Sequence, residues 1–349
     1  MIKAHGYAAQ SSTSNLQLFS FERRDPKEQD VLIQILFCGI CHSDIHQARN
    51  EWGISLYPMV PGHEIVGRVL QVGSKVKKFK VNDLVGVGCM VDSCRVCFSC
   101  RHDLQQFCEQ GATLTYNSYE KDGKTVTMGG YSNLIVVNED FVLKISATNN
   151  LAGTAPLLCA GITTYSPLRH WKVGKGTKVG IVGLGGLGHM AIKIAQALQA
   201  NVTVFTTSIK KREDALRLGA NQVVLSTDTS AMEKQVKNFD LILDTVSGDH
   251  DINQYLSLLK TDGTMVMVGL PEKHPTINLW QLLGRRNISG SFIGGIAETQ
   301  EMLDFCAKHN ITADIELIPI AKVNEACARL VKGDVKYRFV IDMSSLATG

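Results

Sequence analysis

The sequence lacks the features that direct a chain into or across a membrane. No segment approaches the run of about 20 apolar residues that a membrane-spanning helix needs. The start, MIKAHGYAAQ, has no apolar core of the kind found in signal peptides. Low-complexity runs are also absent from the sequence. These absences predict a cytoplasmic protein with no membrane partner.

An excess of charge of one sign is missing too. The 36 Lys and Arg residues nearly balance the 33 Asp and Glu residues, and the formal net charge is only +3. Nucleic acids and anionic membranes bind proteins through concentrated positive charge. The balance gives no reason to expect either partner, and a small-molecule substrate is the better expectation.

What the chain does have is length and cysteine. At 349 residues it exceeds the size at which a single hydrophobic core stops growing, so two domains are expected. Ten cysteines in so large a chain, without an export signal, indicate metal binding or free thiols rather than disulfides.

One group of cysteines has the spacing of a metal site. Cys94, Cys97, Cys100 and Cys108 follow the pattern Cys-x2-Cys-x2-Cys-x7-Cys. This spacing lets four thiolates close tetrahedrally on one zinc ion. A zinc-ribbon module that binds nucleic acid would use the same pattern, but the near-neutral charge and the lack of a basic flank argue against it. The spacing predicts a zinc site of the structural kind.

From about Lys178, short apolar runs alternate with longer helical stretches, which is typical of βαβ units and a parallel sheet. The predicted strands are 178–182, 202–206, 222–225, 240–244, 264–268 and 288–293. Six such strands with intervening helices make one doubly wound dinucleotide-binding domain. The chain up to about residue 145 instead carries short β-branched runs and predicts a mainly β domain. A helix over 299–309 and a strand over 338–341 follow, and we expect this tail to return to the first domain.

A glycine-rich segment lies between the strand KVGIV and the helix GHMAIKIAQAL. It consists of Gly183, Leu184, Gly185, Gly186, Leu187 and Gly188. In that setting the glycines allow a tight turn and let backbone N–H groups approach a pyrophosphate at the helix N-terminus. The alternative, a glycine-rich turn with no ligand, does not account for the predicted six-strand setting.

The end of the second predicted strand reads VTVFTTSIKKR, where NAD-binding proteins usually carry Asp or Glu. The residues there are Thr206, Thr207 and Ser208, followed by Lys210, Lys211 and Arg212. Hydroxyls and cations hydrogen-bond and neutralise a 2′-phosphate, which a carboxylate repels. The sequence therefore favours NADP(H), although the basic run also fits an exposed helix start.

A second set of metal-binding side chains is spread along the chain, in CGICHSDIH from Cys38 to His46, in PGHEIVG, and in PLLCAGITTY around Cys159. Two thiolates and one imidazole make a three-ligand zinc site with an open fourth position, the arrangement of a catalytic zinc. Cys38 and Cys41 imitate a redox Cys-x2-Cys motif. That alternative is weaker, because the βαβ units lie far downstream.

Nearly end to end, the chain resembles the zinc-containing medium-chain alcohol dehydrogenases. The segments that carry the resemblance are CGICHSDIH, PGHEIVG, the four-cysteine lobe, PLLCAGITTYSPL and GLGGLGH. Within that family it is most similar to the cinnamyl-alcohol dehydrogenase branch, which includes bacterial NADP-dependent aldehyde reductases. The segments most similar to this branch are PMVPGHEIVGRV, YNSY, MGGYSN and CAGITTYSPL.

The resemblance implies a fold of two parts, one β and one α/β. A GroES-like, mainly β catalytic domain would span 1–155 and 294–349, and a Rossmann cofactor domain would span 156–293. It further implies NADP(H), two zinc ions per chain, and the interconversion of primary aromatic or aliphatic alcohols with their aldehydes. Related enzymes are commonly homodimers joined through the cofactor domains.

The resemblance also implies a catalytic zinc site. Cys41, His63 and Cys159 would bind the metal, with Glu64 close enough to exchange with a water ligand. Asp44 would orient His63, fixing the imidazole tautomer and raising its donor strength.

Further roles carry over from the family. Ser43 and His46 match its proton relay, in which a hydroxyl exchanges the substrate proton and passes it on through the cofactor ribose. Thr163 would touch the nicotinamide, and Arg338 would meet the pyrophosphate.

The substrate pocket is less well defined by the sequence. After Cys108, where the plant enzymes of this branch carry a tryptophan, the chain reads GATLTYN. The pocket candidates are Trp52, Tyr116, Phe292 and Ile293, each of which also fits ordinary packing. Since an apolar pocket discriminates by only about 1–3 kcal/mol per methylene, we expect a broad range of aldehydes.

Other classes of protein remain open at this stage. A zinc-dependent polyol dehydrogenase is the nearest rival. A zinc-free quinone reductase of the same fold would not need Cys41, His63 and Cys159, and a non-catalytic NADPH-binding zinc protein would bind cofactor without turnover. Cys38, Cys89, Cys306 and Cys327 fit free packed thiols.

Overall fold

The computed structural model describes residues 1–146, 150–271 and 275–346. The chain divides into two compact units, one formed by Met1–Cys159 with Gly294–Gly349 and the other by Ala160–Ile293. Across the described residues, no helix is both long enough and apolar enough to cross a membrane.

The N-terminal part of the first unit is mainly β. Its strands are β1 (Ile2–Ala8), β2 (Gln17–Arg23), β3 (Asp30–Ile40), β4 (Ile65–Val72), β5 (Leu84–Val87), β6 (Met90–Asp92), β7 (Thr113–Leu114), β8 (Leu134–Asn138) and β9 (Leu143–Lys144). Its helices are α1 (His42–Ala48), α2 (Phe98–Arg101) and α3 (Leu151–Thr154). The apolar, β-branched sequence DVLIQILFCGI makes β3 the longest strand, since such residues favour a pleated, buried surface.

The second unit alternates strands and helices, as its sequence pattern predicts. Its elements are α4 (Ala160–His170), β10 (Lys178–Val182), α5 (Gly186–Ala197), β11 (Asn201–Thr206), α6 (Arg212–Arg217), β12 (Gln222–Leu225), α7 (Thr229–Glu233), β13 (Phe239–Asp244), α8 (Asn253–Leu256), β14 (Leu259–Met267) and β15 (Asn287–Gly290). The six strands pair in parallel in the order β12-β11-β10-β13-β14-β15. This is the doubly wound order of a dinucleotide-binding domain, so the predicted fold class is confirmed.

Four strands of this sheet differ from the prediction at an end, and β11 and β13 do so only by starting one residue early, at Asn201 and Phe239. β14 begins at Leu259, because a bulge lets Leu259 pair with Phe239 before the regular register starts at Thr264. β15 ends at Gly290, so Phe292 and Ile293 follow the strand rather than belonging to it.

The C-terminal tail adds to the first unit. Its elements are α9 (Ile296–Lys308), β16 (Ile315–Pro319), α10 (Val323–Val331) and β17 (Arg338–Asp342). β17 pairs antiparallel with β3, and β16 pairs parallel with β17. The sheet therefore runs β16-β17-β3-β4-β5-β9, with β8 also paired to β3, and β3 is central to it. Helix α9 starts three residues before the predicted Thr299, because Gly295 adopts an extended N-cap conformation.

Candidate active site and zinc centres

The side chains predicted to bind the catalytic zinc come together in the first unit. Cys41, His63, Glu64 and Cys159 are all buried, and their ligand atoms lie within 4.8 Å of one another. The sulfurs of Cys41 and Cys159 are 3.9 Å apart. Two thiols and an imidazole are the donors that zinc prefers, so the residues fit the metal.

The β-sheet explains why these residues meet. Cys41 directly follows β3, and His63 and Glu64 directly precede β4. Strands β3 and β4 are antiparallel partners with Cys38 opposite Ile65, which brings the end of one strand to the start of the other. Cys159 enters from the 3-10 turn Ala155–Leu158, which is fully buried.

Asp44 lies behind the site and holds its ligands in place. The residue is 2% exposed, and its carboxylate contacts the Nδ1 atom of His63 at 3.0 Å. It also accepts hydrogen bonds from the backbone N–H groups of Cys41 (2.9 Å) and Gly62 (3.1 Å). A carboxylate on one ring nitrogen leaves the other nitrogen free to bind a metal, as the sequence predicts for His63.

The protonation of the site is unusual because the groups are crowded and buried. A hydrogen bond from the Cys159 thiol holds the pKa of Cys41 well below its usual value, and the same contact raises the pKa of Cys159. Burial opposes a charged imidazole, but the Asp44 carboxylate raises the pKa of His63 well above its usual value. Because zinc binds thiolates and neutral imidazole, protons compete with the metal here.

Glu64 and Arg338 form a buried ion pair at the edge of the site. Arg338 is 3% exposed, and its Nη2 atom donates to Oε1 of Glu64. Burial raises the pKa of Glu64 to about 7, although the charge of Arg338 acts in the opposite direction. The second oxygen, Oε2, is buried and has no hydrogen-bond partner within the described part of the chain. Such an oxygen suits a nearby cation, whereas the contact of Arg338 with a pyrophosphate stays a prediction.

The predicted proton relay lies on one helix. Ser43 and His46 are three residues apart on α1, so they share a face. The Ser43 hydroxyl is 3.7 Å from the sulfur of Cys41. His46 contacts the carboxylate of Glu51 through Nδ1 and stacks on Trp52 at 5.3 Å between ring centroids.

The pocket candidates differ in their surroundings. Tyr116 is 6% exposed and stacks on the ring of His63, with centroids 5.8 Å apart. Trp52 and Phe292 are exposed, and Ile293 is buried with φ +39. Positive φ is rare for a β-branched residue, so the backbone at Ile293 is strained. The substrate contacts of these four side chains stay predictions.

The four-cysteine lobe forms a second, separate cluster. The ligand sulfurs of Cys94, Cys97, Cys100 and Cys108 all lie within 4.8 Å of one another. Backbone N–H groups donate to three of these sulfurs at 3.3–3.5 Å. The N–H groups of Val96 and Cys97 lower the pKa of Cys94, while burial raises that of Cys100 to about 11. A closed set of four sulfurs matches a structural zinc.

The four remaining cysteines lie outside both metal clusters and, like the other six, form no disulfide. Cys38 is fully buried, and a Cβ atom on Gly130 would come within 2.7 Å of its sulfur. Cys306 is buried beside Met302, with its sulfur 3.7 Å from Sδ. These two cysteines are packing residues of the first unit.

Three of the four glycines in the segment between β10 and α5 differ in their surroundings. Gly183 adopts φ +91, a conformation that favours glycine. A Cβ atom on Gly188 would collide with the carbonyl oxygen of Gly183, whereas one on Gly185 would meet no atom within 4 Å. These surroundings match the tight turn, the open space and the close helix packing that a dinucleotide site requires, and pyrophosphate binding here stays a prediction.

We expect Gly188→Ala to lower stability and Gly185→Ala to lower affinity for NADPH. The first should lower stability by about 1–3 kcal/mol, because the methyl group has no room. The second should leave the melting temperature unchanged and raise the Kd for NADPH about tenfold, a loss of roughly 1.4 kcal/mol. Thermal unfolding and fluorescence titration measure the two effects. A Gly185→Ala variant with normal affinity would contradict the assigned space.

Hydroxyl and basic groups lie where the second strand of the sheet ends. Thr207 is exposed and Ser208 half-buried, whereas Thr206 is buried and its hydroxyl accepts from the Ser208 N–H at 3.2 Å. The Nζ atom of Lys211 donates to the carbonyl of Leu184 at 2.9 Å, and Arg212 is exposed. Lys211 therefore places its charge beside the glycine-rich turn. Thr163, the predicted nicotinamide contact, is buried in α4.

Sequence reasoning missed two partners of the predicted residues. Tyr131 donates its hydroxyl to Oδ2 of Asp44 at 3.1 Å, and Glu51 binds His46. The motif MGGYSN marks Tyr131 only as a family feature. No spacing rule links it to Asp44, which lies 87 residues earlier.

Comparison with known proteins agrees with this geometry. Residues 27–147 match the alcohol dehydrogenase GroES-like domain, and residues 186–308 match the zinc-binding dehydrogenase domain. The chain is 54% identical to aldehyde reductase YahK of Escherichia coli (strain K12), with 99% of each chain covered.

Two solved structures are similar over nearly their whole length. A cinnamyl alcohol dehydrogenase of Sorghum bicolor superposes with a TM-score of 0.97 at 45% identity, covering 100% of this chain and 99% of the other. A CAD from Helicobacter pylori complexed with NADP(H) gives a TM-score of 0.92 at 45% identity, covering 98% and 99%. The chain belongs to the zinc-binding alcohol dehydrogenases with a GroES-like domain.

Proposed function

We propose that the protein is a zinc-dependent aldehyde reductase and alcohol dehydrogenase that uses NADP(H). The observation that carries the proposal is the buried ligand set of Cys41, His63 and Cys159, in a chain that also has a dinucleotide-binding turn. The similar proteins named as an aldehyde reductase and a cinnamyl alcohol dehydrogenase support the same activity.

Bound zinc supplies Lewis acidity toward a carbonyl or alcohol oxygen, and bound NADP(H) supplies or accepts the hydride. Cys41, His63 and Cys159 would hold the metal, and Asp44 keeps the His63 ring oriented through its contact with Nδ1. Glu64, with one buried oxygen free, is the remaining donor of the set.

A hydroxyl close to the sulfur of Cys41 would handle the proton. Ser43 lies 3.7 Å from the Cys41 sulfur, so its Oγ atom would receive a proton from an alcohol or return one to a product. His46, on the same face of α1, is the terminal group of this relay. Its Nδ1 atom contacts the carboxylate of Glu51.

Preference for NADP(H) follows from the end of β11. No carboxylate occupies residues 206–212, and the hydroxyl and basic groups of Thr207, Ser208, Lys211 and Arg212 suit a 2′-phosphate. The complex of the Helicobacter pylori relative with NADP(H) supports this choice.

The substrate class would be primary aromatic and aliphatic aldehydes and alcohols. Tyr116 stacks on the ring of His63 and therefore contacts the proposed ligand set. Trp52 contacts the proposed proton relay by stacking on the ring of His46. Phe292 and Ile293 stay pocket candidates on the basis of the sequence alone.

A rate experiment tests the proposal. Oxidation of NADPH is followed with cinnamaldehyde and with benzaldehyde, beside NADH, and repeated after zinc is stripped and restored. Activity that prefers NADPH and returns with zinc supports it. Turnover of mannitol in place of the aldehydes would favour a polyol dehydrogenase, and NADPH binding with no turnover would indicate a non-catalytic role.

We further propose a homodimer joined through the second unit. β15 is the last strand of its sheet, and exposed apolar side chains precede it, with Leu279, Trp280 and Leu283 between 69% and 79% exposed. A free strand edge next to exposed apolar groups suits self-association. Sedimentation should give twice the 38.2 kDa chain mass, and Trp280→Glu should shift it toward one chain.

A further inference from the structure

The motif MGGYSN has no part in the function proposed above, yet its tyrosine reaches the zinc site. Tyr131 is 0% exposed, and its hydroxyl donates to Oδ2 of Asp44 at 3.1 Å. A buried tyrosine hydroxyl bound to a buried carboxylate is a charge-assisted hydrogen bond, which is stronger than a bond between neutral groups.

The two carboxylate oxygens of Asp44 contact different segments that carry zinc ligands. Oδ1 accepts from the N–H of Gly62 at 3.1 Å and contacts Nδ1 of His63 at 3.0 Å. Oδ2 accepts from the N–H of Cys41 at 2.9 Å and from the hydroxyl of Tyr131. Tyr131 therefore shares the oxygen that fixes the backbone of Cys41.

The loop that carries Tyr131 is itself fixed to the segment leading to His63. Three backbone bonds join the 129–132 loop to that segment: Gly129 N–H to Val60 O (2.7 Å), Gly130 N–H to Gly62 O (2.8 Å) and Tyr131 N–H to Pro61 O (2.9 Å). The packing is also close, since a Cβ atom on Gly62 would lie 2.7 Å from the Tyr131 ring. These hydrogen bonds and contacts fix the backbone at Tyr131 in the position from which its hydroxyl reaches Asp44.

Arg23 fastens the same loop from β2. Its guanidinium donates to the carbonyl oxygens of Met128 (3.0 Å) and Gly129 (3.1 Å) and to the hydroxyl of Ser132 (3.0 Å). These bonds involve no residue of the ligand set. The position of Tyr131 is therefore set by the fold of the first unit rather than by a bound metal.

We propose that Tyr131 is a positioning residue of the catalytic zinc site, which acts through Asp44 to hold Cys41 and His63 in their metal-binding geometry. The inference rests on the proposed function, because it assumes that these ligands hold zinc. Partners of this kind typically change metal affinity or activity by about 10- to 100-fold when they are removed.

Tyr131→Phe tests the inference, because it removes only the hydroxyl. We expect the catalytic zinc to pass to a metallochromic chelator about 10- to 100-fold faster than in the wild type, with kcat reduced and KM for NADPH unchanged. The catalytic zinc is identified as the equivalent missing from His63→Ala. Release of the zinc held by the four-cysteine lobe should not change. Tyr57→Phe is the matched control, since its hydroxyl donates to the carbonyl of Ala48 rather than to Asp44.

A double mutant shows whether Tyr131 acts through Asp44. In an Asp44→Asn background, Tyr131→Phe should accelerate zinc release little further, since the two residues form one pathway. The inference would be overturned if the two substitutions accelerated zinc release by factors that multiply in the double mutant. It would also be overturned if Tyr131→Phe released zinc at the wild-type rate. Neither result would affect the proposed function. A wild-type chain that holds only the lobe zinc would overturn the proposed function as well, so the two failures are distinct.

Discussion

Replacing His63 with alanine should lower turnover by about a thousandfold or more, since a Lewis-acidic metal contributes several kcal/mol and each 1.36 kcal/mol is a factor of ten. The imidazole is one of only three strong zinc donors in the set, and its removal leaves two thiols and a carboxylate. NADPH binding should remain measurable, because the glycine-rich turn belongs to the second unit.

Three measurements separate loss of metal from loss of fold. Metal analysis should find one zinc per chain in His63→Ala instead of two, and fluorescence titration should give an NADPH Kd near that of the wild type. The initial rate of cinnamaldehyde reduction then reports the chemistry. His309→Ala is the matched control, since this exposed imidazole lies at the end of α9. Full activity of His63→Ala with one zinc would rule out the assigned site.

Much of this site is predictable because the family resemblance assigns its ligands through short, ordered motifs. Cys41, His63 and Cys159 each carry a recognisable neighbourhood in the sequence, and the four-cysteine lobe is defined by spacing alone. The six strands of the second unit follow from apolar runs separated by helices. The four-cysteine spacing and the alternation of strands and helices are local in the sequence, so both are visible without knowledge of a family.

The parts that escape prediction depend on pairing between distant strands. Arg338 meets Glu64 across 274 residues because β17 pairs with β3, which ends at the site. Tyr131 meets Asp44 because its loop pairs with residues 60–62. A single sequence does not encode such registers as a visible pattern. The end of β15 at Gly290 also escapes prediction. It is set by the pairing of β15 with β14, and not by the length of the apolar run in the sequence.

Cys100→Ser should have the other large effect, and it should fall on stability rather than on chemistry. The sulfur of Cys100 lies 3.8 Å from that of Cys94 and is buried, so serine removes one of four donors. Structural zinc contributes folding free energy directly. We expect the melting temperature to fall by about 10 °C, which corresponds to a loss of roughly 3–4 kcal/mol for a unit of this size.

The reason lies in what the lobe connects. Arg95, at the start of the lobe, bonds to Asp92 and to Asp140, and the side-chain oxygen of Gln105 accepts the N–H of Ile296 at the start of α9. The lobe has little regular structure of its own. Without zinc, these hydrogen bonds alone would hold it, so we expect the lobe to lose its ordered structure first. The effect should spread to α9 before it reaches the catalytic ligands.

The decisive comparison is between stability and turnover in the same samples. Cys100→Ser should lose one zinc and melt early, yet keep its rate of aldehyde reduction at temperatures well below the transition. Cys327→Ser, which replaces a half-buried thiol outside both clusters, should match the wild type in zinc content and melting temperature. Loss of turnover by Cys100→Ser at an unchanged melting temperature would mean that the lobe zinc serves the reaction. The two clusters would then be coupled, because a donor removed from one would have disabled the other.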